Sequence, residues 1–175
     1  VNLYGIIAMD NNRPKFILSK LSLSRLEGVH TDLVKVVKRA IELTEVDFRV
    51  NEGLRSKSRQ NQLVASGASQ TSNSRHLTGH AVDLLALING VPSWDWNHYY
   101  KIAEAVRKAA EELKVKIEWG GCWGSQMSTY SPLGTASKFG SMSEQACQGY
   151  VAARKKIGRS AFIDGPHFQI PWGTK

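Results

Sequence analysis

The stretch HAVDLLALI, residues 80–88, restricts the fold of this chain more than any other. It is mostly apolar over the length of one strand, and such a run is typical of a strand that is covered on both faces. Asp83 interrupts the run, and His76 stands a few residues before it. Imidazole and carboxylate groups this close together suggest a metal site. The plainer interpretation is an ordinary strand entry that carries histidines.

Helices and strands are predicted on both sides of this central run. Residues 31–45 predict an amphipathic helix with Thr31 and Asp32 as capping candidates, because apolar residues recur on one face. The other predicted helices cover residues 56–67, 98–114 and 143–158, and the other predicted strands cover residues 46–54, 115–121 and 161–172. The sequence has no internal repeat and no linker, so we expect one small α+β domain over residues 19–175, preceded by an extension of unclear role at residues 1–18.

The charge of the chain points to an anionic partner. Its 175 residues carry a formal net charge of +8 on an ordinary globular composition. Nucleic acid, anionic lipid and an anionic cell-wall polymer all fit this sign, and charge alone does not choose among them. Cys122 and Cys147 are too few for a disulfide framework, so we expect two reduced thiols. No stretch approaches the roughly 20 apolar residues of a membrane span, and the first residues lack the pattern of a signal peptide.

Residues that can bind a metal or transfer a proton concentrate at three places: His76 with His80 and Asp83, Asp164 with His167, and Arg55. Zinc binds imidazole nitrogen and carboxylate oxygen in a tetrahedron, and a catalytic zinc keeps its fourth position for water. His76 and His80 have the spacing of an HExxH motif, but the glutamate is missing, and Gly79 costs about 1 kcal/mol inside a helix. Strand alternation places His80 on the face opposite Asp83, so we expect His80 not to be a ligand. The plainer alternative for each histidine is a surface or hydrogen-bonded side chain.

The pattern Ser74-x-His76-x-x-Gly79-x-Ala81-x-Asp83 resembles the SxHxxGxAxD signature of zinc peptidoglycan peptidases. This family includes D-alanyl-D-alanine carboxypeptidases and L-alanyl-D-glutamate endopeptidases. Two further segments, DGPHFQI at residues 164–170 and EGLRS at residues 52–56, resemble those that carry the third zinc ligand and an arginine facing the active site. The resemblance spans residues 31–172. It implies a small α+β zinc-peptidase domain with a central antiparallel sheet flanked by helices.

The resemblance implies a role for each candidate residue. One zinc ion, with water as the fourth ligand, would be bound by three side chains: His76, Asp83 and His167. Asp164 would be the general base, taking a proton from the water and returning one to the leaving amine. Arg55 would stabilise the developing oxyanion or hold a substrate carboxylate. Ser74 would line the site as a hydrogen-bonding residue, and Glu118 is the alternative base.

Two features depart from the pattern of this family. Members with endopeptidase activity often carry the segment GGDW, whereas this chain has GGCW with Cys122 in place of the aspartate. This difference puts in doubt any substrate contact assigned to that position. The Gly/Ser-rich residues 122–142 predict a long loop, and the stretch 124–160 looks longer than in compact relatives. We expect this stretch to shape the cleft.

The forms SRHLTGHAVD and DGPHF look closest to those of bacteriophage endolysins. The resemblance therefore implies a phage lysis enzyme that cuts the stem peptide of bacterial peptidoglycan at the L-Ala–D-Glu bond. We expect a monomer that is made in the host cytoplasm without a signal peptide and reaches the wall after the membrane is permeabilised. Its positive charge would hold the anionic envelope rather than nucleic acid. The alternatives are a D-alanyl-D-alanine carboxypeptidase or dipeptidase, and a non-catalytic module that binds zinc or the cell wall.

Overall fold

The structure is a computed structural model that describes residues 14–129 and 140–173. In chain order these ranges contain α1 (Lys20–Arg25), α2 (Thr31–Leu43), β1 (Asp47–Glu52), α3 (Lys57–Ala65), β2 (Ala81–Ile88), β3 (Val91–Ser93), α4 (Trp96–Leu113), β4 (Glu118–Trp119), α5 (Met142–Lys156) and β5 (His167–Gln169). Parts of the predicted extension and loop, at residues 1–13 and 130–139, lie outside the described ranges. None of the helices described is long and apolar enough to cross a membrane.

A single antiparallel sheet with β2 near its centre organises the fold. The strands follow the order β1-β2-β5-β4, and β3 adds a short pair to β2. One edge of β2 pairs with β1, and residues 81–83 on its other edge pair with β5. The predicted α+β fold with a central antiparallel sheet is confirmed. The apolar run that predicted a covered strand is β2 itself.

Alternation along β2 separates a packed face from the face that carries the ionisable residues. Val82, Leu84 and Ala86 are fully buried in one apolar cluster that includes residues of α2 and α4. The apolar face predicted for α2 is buried there, and its residues are Leu33, Val36, Val37, Ala40 and Ile41. Burial of one large aliphatic side chain contributes roughly 2 kcal/mol, so this packing holds the helices firmly on the sheet. Asp83, between Val82 and Leu84, belongs to the other face.

The ends of the helices differ from the prediction where a neighbouring side chain makes the cap. α2 begins after His30, whose Nδ1 accepts the backbone N–H of Asp32 at 3.3 Å. Thr31 and Asp32 are therefore the first helical residues rather than the cap. α4 begins at Trp96 rather than at residue 98, because the side chain of Asp95 caps it.

The strands near the end of the chain are shorter than predicted. Of the strands predicted at residues 115–121 and 161–172, only β4 and β5 pair regularly. β5 begins as late as His167 because the turn at residues 164–166 interrupts the apolar run and its proline has no N–H to donate. Neither α1 nor β3 was predicted. α1 has only six residues, too few to show a helical period, and β3 lies within the turn-rich stretch after β2.

A β-bulge at Asn51 decides which residue of β1 lies beside Asp83. Val50 pairs with Leu84 and Glu52 pairs with Asp83, so Asn51 is the additional residue in β1. Because side chains alternate along a strand, this insertion brings Glu52 onto the same face as Asp83. Two carboxylates therefore lie opposite each other on neighbouring strands.

Side chains of α1 cover the outer edge of β1 at this bulge. The backbone N–H of Val50 donates to Ser22 Oγ at 3.1 Å, and Arg25 Nη1 donates to the carbonyl oxygen of Val50 at 2.9 Å. Both backbone groups of an edge residue are thus satisfied within the chain. This contact protects the edge from pairing with another strand.

Candidate metal centre

Three potential ligand atoms converge where β2 and β5 pair. His76 Nε2 lies 3.2 Å from Asp83 Oδ1 and 3.3 Å from His167 Nδ1. His167 Nδ1 lies 3.2 Å from Asp83 Oδ1. Asp83 and His167 are direct partners in the two strands, and His76 comes from the 3-10 turn Arg75–Thr78 just before β2. The fold thus brings together the three residues predicted as metal ligands.

The spacing of these atoms fits a tetrahedral zinc ion. Metal–ligand bonds of about 2.0–2.1 Å place two ligands of a tetrahedron about 3.3–3.4 Å apart. The three separations of 3.2, 3.2 and 3.3 Å agree with that value. Two imidazoles and one carboxylate are also the kind of ligand set that leaves a fourth position open for water.

The outer hydrogen bonds of both histidines leave their inward-facing nitrogens without a proton. His76 Nδ1 donates to the carbonyl oxygen of Gly53 at 2.7 Å, and His167 Nε2 donates to Gln169 Oε1 at 2.9 Å. A neutral imidazole carries one proton, so His76 Nε2 and His167 Nδ1 are then both acceptors. Two such nitrogens and a carboxylate oxygen in contact have no hydrogen to share and need a cation between them. The donor set therefore fits a metal ion.

A carboxylate behind Gln169 fixes the orientation of its amide group. Gln169 Nε2 donates to Glu118 Oε2 at 2.8 Å, and Glu118 also accepts the backbone N–H of Gly124. Because an ionised carboxylate only accepts, the amide oxygen of Gln169 has to face His167. Glu118, the alternative base from the sequence, thus hydrogen-bonds behind the metal centre. Gln169 was not among the residues predicted for the site, although strand alternation places it on the same face as His167.

The charges of the centre are coupled. Burial raises the pKa of Asp83, but hydrogen bonds and charges from His167 and His76 outweigh it and hold that pKa well below its usual range. Burial lowers the pKa of His167, but the hydrogen bond and charge of Asp83 outweigh it, so this pKa is raised. A metal ion would compete with protons for these ligand atoms, which couples metal binding to proton release.

The turn before β2 directs His76 toward the centre. Ser74 precedes this turn, and its Oγ accepts the backbone N–H of His76 at 3.3 Å. Gly79 ends the turn at a φ of 70°, and a Cβ atom there would overlap the carbonyl oxygen of Gly28. Conformation and close packing both require glycine here. Ser74 lines the cleft as well as capping the turn.

Asp164 lies in the same cleft as the three ligands. Its backbone N–H donates to the carbonyl oxygen of Gly120 at 2.9 Å, and a Cβ atom at Gly120 would overlap the Asp164 carbonyl oxygen. Burial raises the pKa of Asp164, and the negative charge of Asp83 raises it further. A carboxyl group with a raised pKa beside a metal centre suits proton transfer.

Arg55 contacts the metal centre through the outer oxygen of Asp83. Its Nη2 lies 3.4 Å from Asp83 Oδ2 and also donates to Glu52, and its Nη1 donates to Gln60 Oε1 at 2.7 Å. The guanidinium group therefore bridges the two carboxylates that the bulge places opposite each other. The resemblance implied an arginine facing the site, but the contacts with Glu52 and Gln60 were not predicted, because they depend on the bulge and on α3.

His80 lies apart from the three converging atoms. Its Nδ1 donates to the carbonyl oxygen of Thr78 at 2.8 Å, and its ring packs against His30 with 5.0 Å between the ring centres. Within the described part of the chain, the group arranged to hold a metal consists of His76, Asp83 and His167. This arrangement agrees with the expectation that His80 is not a ligand.

The metal centre opens into a cleft of about 440 Å³, next to a smaller cavity of about 300 Å³. Besides the metal ligands, the lining of the cleft includes Asp164, two arginines and three aromatic side chains. The arginines are Arg55 and Arg59, and the aromatic residues are Trp94, Trp123 and Phe162. His167 and Trp123 line both spaces. The ligand His167 is therefore part of the wall between the two cavities.

The segment GGCW contributes its tryptophan to this cleft. Cys122 is buried, whereas Trp123 stacks on Phe162 and its ring centre lies 5.2 Å from that of His167. The departure at Cys122 thus changes a buried position beside the cleft. Cys147, the other cysteine, is buried within α5.

An α+β domain with two histidines and one carboxylate around an open cleft has the architecture of a metal-dependent hydrolase. The sequence profile of the family described as phage L-alanyl-D-glutamate peptidase matches residues 15–131. This chain belongs to that family. The match includes His76 and Asp83 and ends before Asp164 and His167.

Individual relatives carry the same description. The L-alanyl-D-glutamate peptidase of Escherichia phage T5 is 35% identical over 112 residues, which cover 62% of this chain and 82% of that protein. The peptidase of the same name from Listeria phage A118 is 32% identical over 105 residues, covering 58% of this chain and 36% of that protein. The crystal structure of the Serratia marcescens L-Ala D-Glu endopeptidase ChiX is similar with a TM-score of 0.64 and 40% identity, over 90% of this chain and 92% of that one.

Proposed function

We propose that this protein is a zinc-dependent endopeptidase that hydrolyses the L-Ala–D-Glu bond in the stem peptide of bacterial peptidoglycan. The observation that carries the proposal is the convergence of His76 Nε2, Asp83 Oδ1 and His167 Nδ1 beside an open cleft that also contains Asp164. Membership of the phage L-alanyl-D-glutamate peptidase family supports the choice of bond. A structural metal site would need neither an open cleft nor a half-buried carboxyl group beside it.

The residues of the cleft divide the work of hydrolysis. Zinc bound by the three ligands would lower the pKa of a coordinated water and polarise the scissile carbonyl. Asp164 acts as the general base, accepting a proton from the attacking water and returning one to the amine of D-glutamate as it leaves. Its raised pKa makes it a stronger base than an ordinary exposed aspartate.

Arg55 and Ser74 position two of the metal ligands and also face the substrate. Arg55 keeps Asp83 in position through its outer oxygen, and its buried Nε has no hydrogen-bond partner among the described residues. We propose that this Nε–H donates a hydrogen bond to an oxygen of the substrate, and that the positive guanidinium group stabilises that oxygen. The oxygen belongs either to the developing oxyanion or to a carboxylate. Ser74 keeps the turn that directs His76 and offers its hydroxyl at the wall of the cleft.

The setting of the reaction follows from the family and the charge. We propose that the protein acts as a monomeric phage lysis enzyme on the cell wall once the membrane has been permeabilised. The net charge of +8 supports binding to an anionic envelope and predicts that salt weakens this binding.

Mass spectrometry of the products from purified peptidoglycan tests the proposal. We expect fragments with a new amino-terminal D-glutamate, and no such fragments from a folded, zinc-loaded Asp164→Asn variant. Release of free D-alanine instead would identify a carboxypeptidase. Intact peptidoglycan after incubation with the folded, zinc-loaded parent protein would refute the enzymatic function itself.

A further inference from the structure

The substrate-binding region continues past the metal centre. Beyond His167 and Trp123 lies the second cavity of about 300 Å³, which is also lined by Arg75, Asn73 and Trp172. An endopeptidase binds its substrate on both sides of the bond that it cuts. One cavity on each side of the ligand His167 provides space for both halves of such a substrate.

The two cavities differ in the charge that they offer. The first is lined by Arg55 and Arg59 and by three carboxylates, those of Glu52, Asp83 and Asp164. Arg55 pairs with Glu52 and Asp83, so Arg59 is the cation of this cavity that is outside the ion pairs of the metal centre. In the second, Arg75 is buried and donates from Nε to the carbonyl oxygen of Ile170 at 3.0 Å and from Nη2 to that of Pro171 at 3.1 Å. These donors are bound to the chain itself, and the carboxylate of Glu118 also lines this cavity. The second cavity therefore suits an uncharged group better than a carboxylate.

Trp172 provides a flat apolar wall in the second cavity. Its ring lies over the Arg75 guanidinium, with 4.6 Å from Cζ to the ring centre, and 56% of the residue is nevertheless exposed. The buried arginine holds one face of the indole and leaves surface for a ligand. Asn73 and Thr71 add a carboxamide and a hydroxyl group to the same cavity. A flat aromatic surface beside uncharged hydrogen-bonding groups suits a sugar ring, which has apolar C–H faces and polar edges.

We propose that the second cavity binds the N-acetylmuramyl sugar that carries the stem peptide, with Trp172 as its stacking surface. This inference rests on the proposed function. In peptidoglycan the amine of L-alanine is acylated by the lactyl group of that sugar, so the sugar lies on the amino-terminal side of the cut. The carboxylates of the stem lie on the other side, where Arg59 and the Nε–H of Arg55 line the first cavity. The substrate therefore runs across His167 with its sugar toward Trp172.

Two soluble substrates test this assignment. Both contain the same L-Ala–D-Glu stem peptide, and they carry either the N-acetylmuramyl group or a simple N-acetyl group on L-alanine. We expect the parent protein to cleave the muramyl substrate with the higher kcat/KM. Trp172→Ala should reduce the ratio of the two kcat/KM values by about fivefold, as expected for the loss of one aromatic contact. Trp172→Phe should keep most of the ratio, because it retains a ring over Arg75.

Trp94→Ala is the matched control, since Trp94 is an exposed tryptophan that lines the first cavity. We expect it to lower kcat/KM for both substrates and to leave their ratio unchanged. Equal cleavage of both substrates by the parent protein, or an unchanged ratio in folded Trp172→Ala, overturns the sugar assignment and leaves the endopeptidase function in place. Cleavage of neither substrate by the zinc-loaded parent protein overturns both.

Discussion

Replacing Gln169 by methionine tests whether the hydrogen bonds behind the metal centre control metal binding. In the parent protein, Gln169 Oε1 accepts the proton of His167 Nε2 at 2.9 Å, which leaves Nδ1 free to bind a metal. Methionine has a similar length and shape but no amide oxygen. His167 can then place its proton on Nδ1, beside Asp83, at the position that the metal needs.

The expected magnitude follows from that lost partner. Outer hydrogen bonds to metal-binding histidines contribute about 10- to 100-fold to metal affinity. At about 1.4 kcal/mol for each factor of ten, Gln169→Met should weaken zinc binding by about 1.4–2.8 kcal/mol. Glu118→Gln should have a smaller effect in the same direction, because a neutral amide no longer dictates which way the Gln169 amide faces.

Competition for zinc between the metal-free protein and a chromophoric chelator measures this affinity without any assay of activity. Gln148→Met is the matched control, since it removes a glutamine that donates to Tyr100 at 2.8 Å in the contact between α4 and α5. We expect the zinc affinity of this control to equal that of the parent. A folded Gln169→Met variant with the zinc affinity of the parent would refute the role assigned to the Gln169 hydrogen bond.

Three further predictions test the site and the turn that supports it. Asp164→Asn should lower kcat by about 10²- to 10⁴-fold, which is the usual contribution of a general base. The zinc affinity of this variant should stay within the same order of magnitude as that of the parent. Full activity of the zinc-loaded variant would contradict the role of Asp164 as the base. Removal of the metal by a chelator should lower the melting temperature, because zinc at about 1,000 times its Kd stabilises the folded state by about 4 kcal/mol. Calorimetry with and without zinc measures the two melting temperatures. Equal values would count against a bound ion. Gly79→Ala should destabilise the protein by about 3 kcal/mol in urea unfolding, because it combines a positive φ with overlap against the Gly28 carbonyl oxygen. Gly67→Ala, with a φ of 76° and open space around it, should cost only about 1 kcal/mol; equal losses at the two positions would show that the overlap is unimportant.

The part of the site that lies within a local pattern could be predicted from the sequence. His76 and Asp83 stand in one signature, and alternation along β2 separates Asp83 from His80. His167 was placed by resemblance, and the pairing of β5 with β2 explains its position. The strand and helix patterns predicted an α+β domain, and the resemblance implied its central antiparallel sheet.

The supporting contacts could not be predicted, because they depend on register and on distant segments. Glu52 lies opposite Asp83 only because of the bulge at Asn51, and the residue types around Asn51 do not predict a bulge there. Arg55 consequently bridges two carboxylates, a role that spacing along the chain does not indicate. The lengths of β4 and β5 were overestimated, because a run of apolar residues indicates burial but does not show where strand pairing ends.

The additional residue at Asn51 shifts the alternation of side chains near the end of β1. Up to Val50, the alternation of the strand packs its apolar side chains, Phe48 and Val50, into the core. After the bulge, the last residue of the strand, Glu52, lies on the face of the cleft. Substitutions before the bulge can therefore adjust the core without turning the residues that meet Asp83, and substitutions after it can adjust the cleft without moving the core. A single strand thus serves two independent sets of requirements, and the boundary between them is one residue wide.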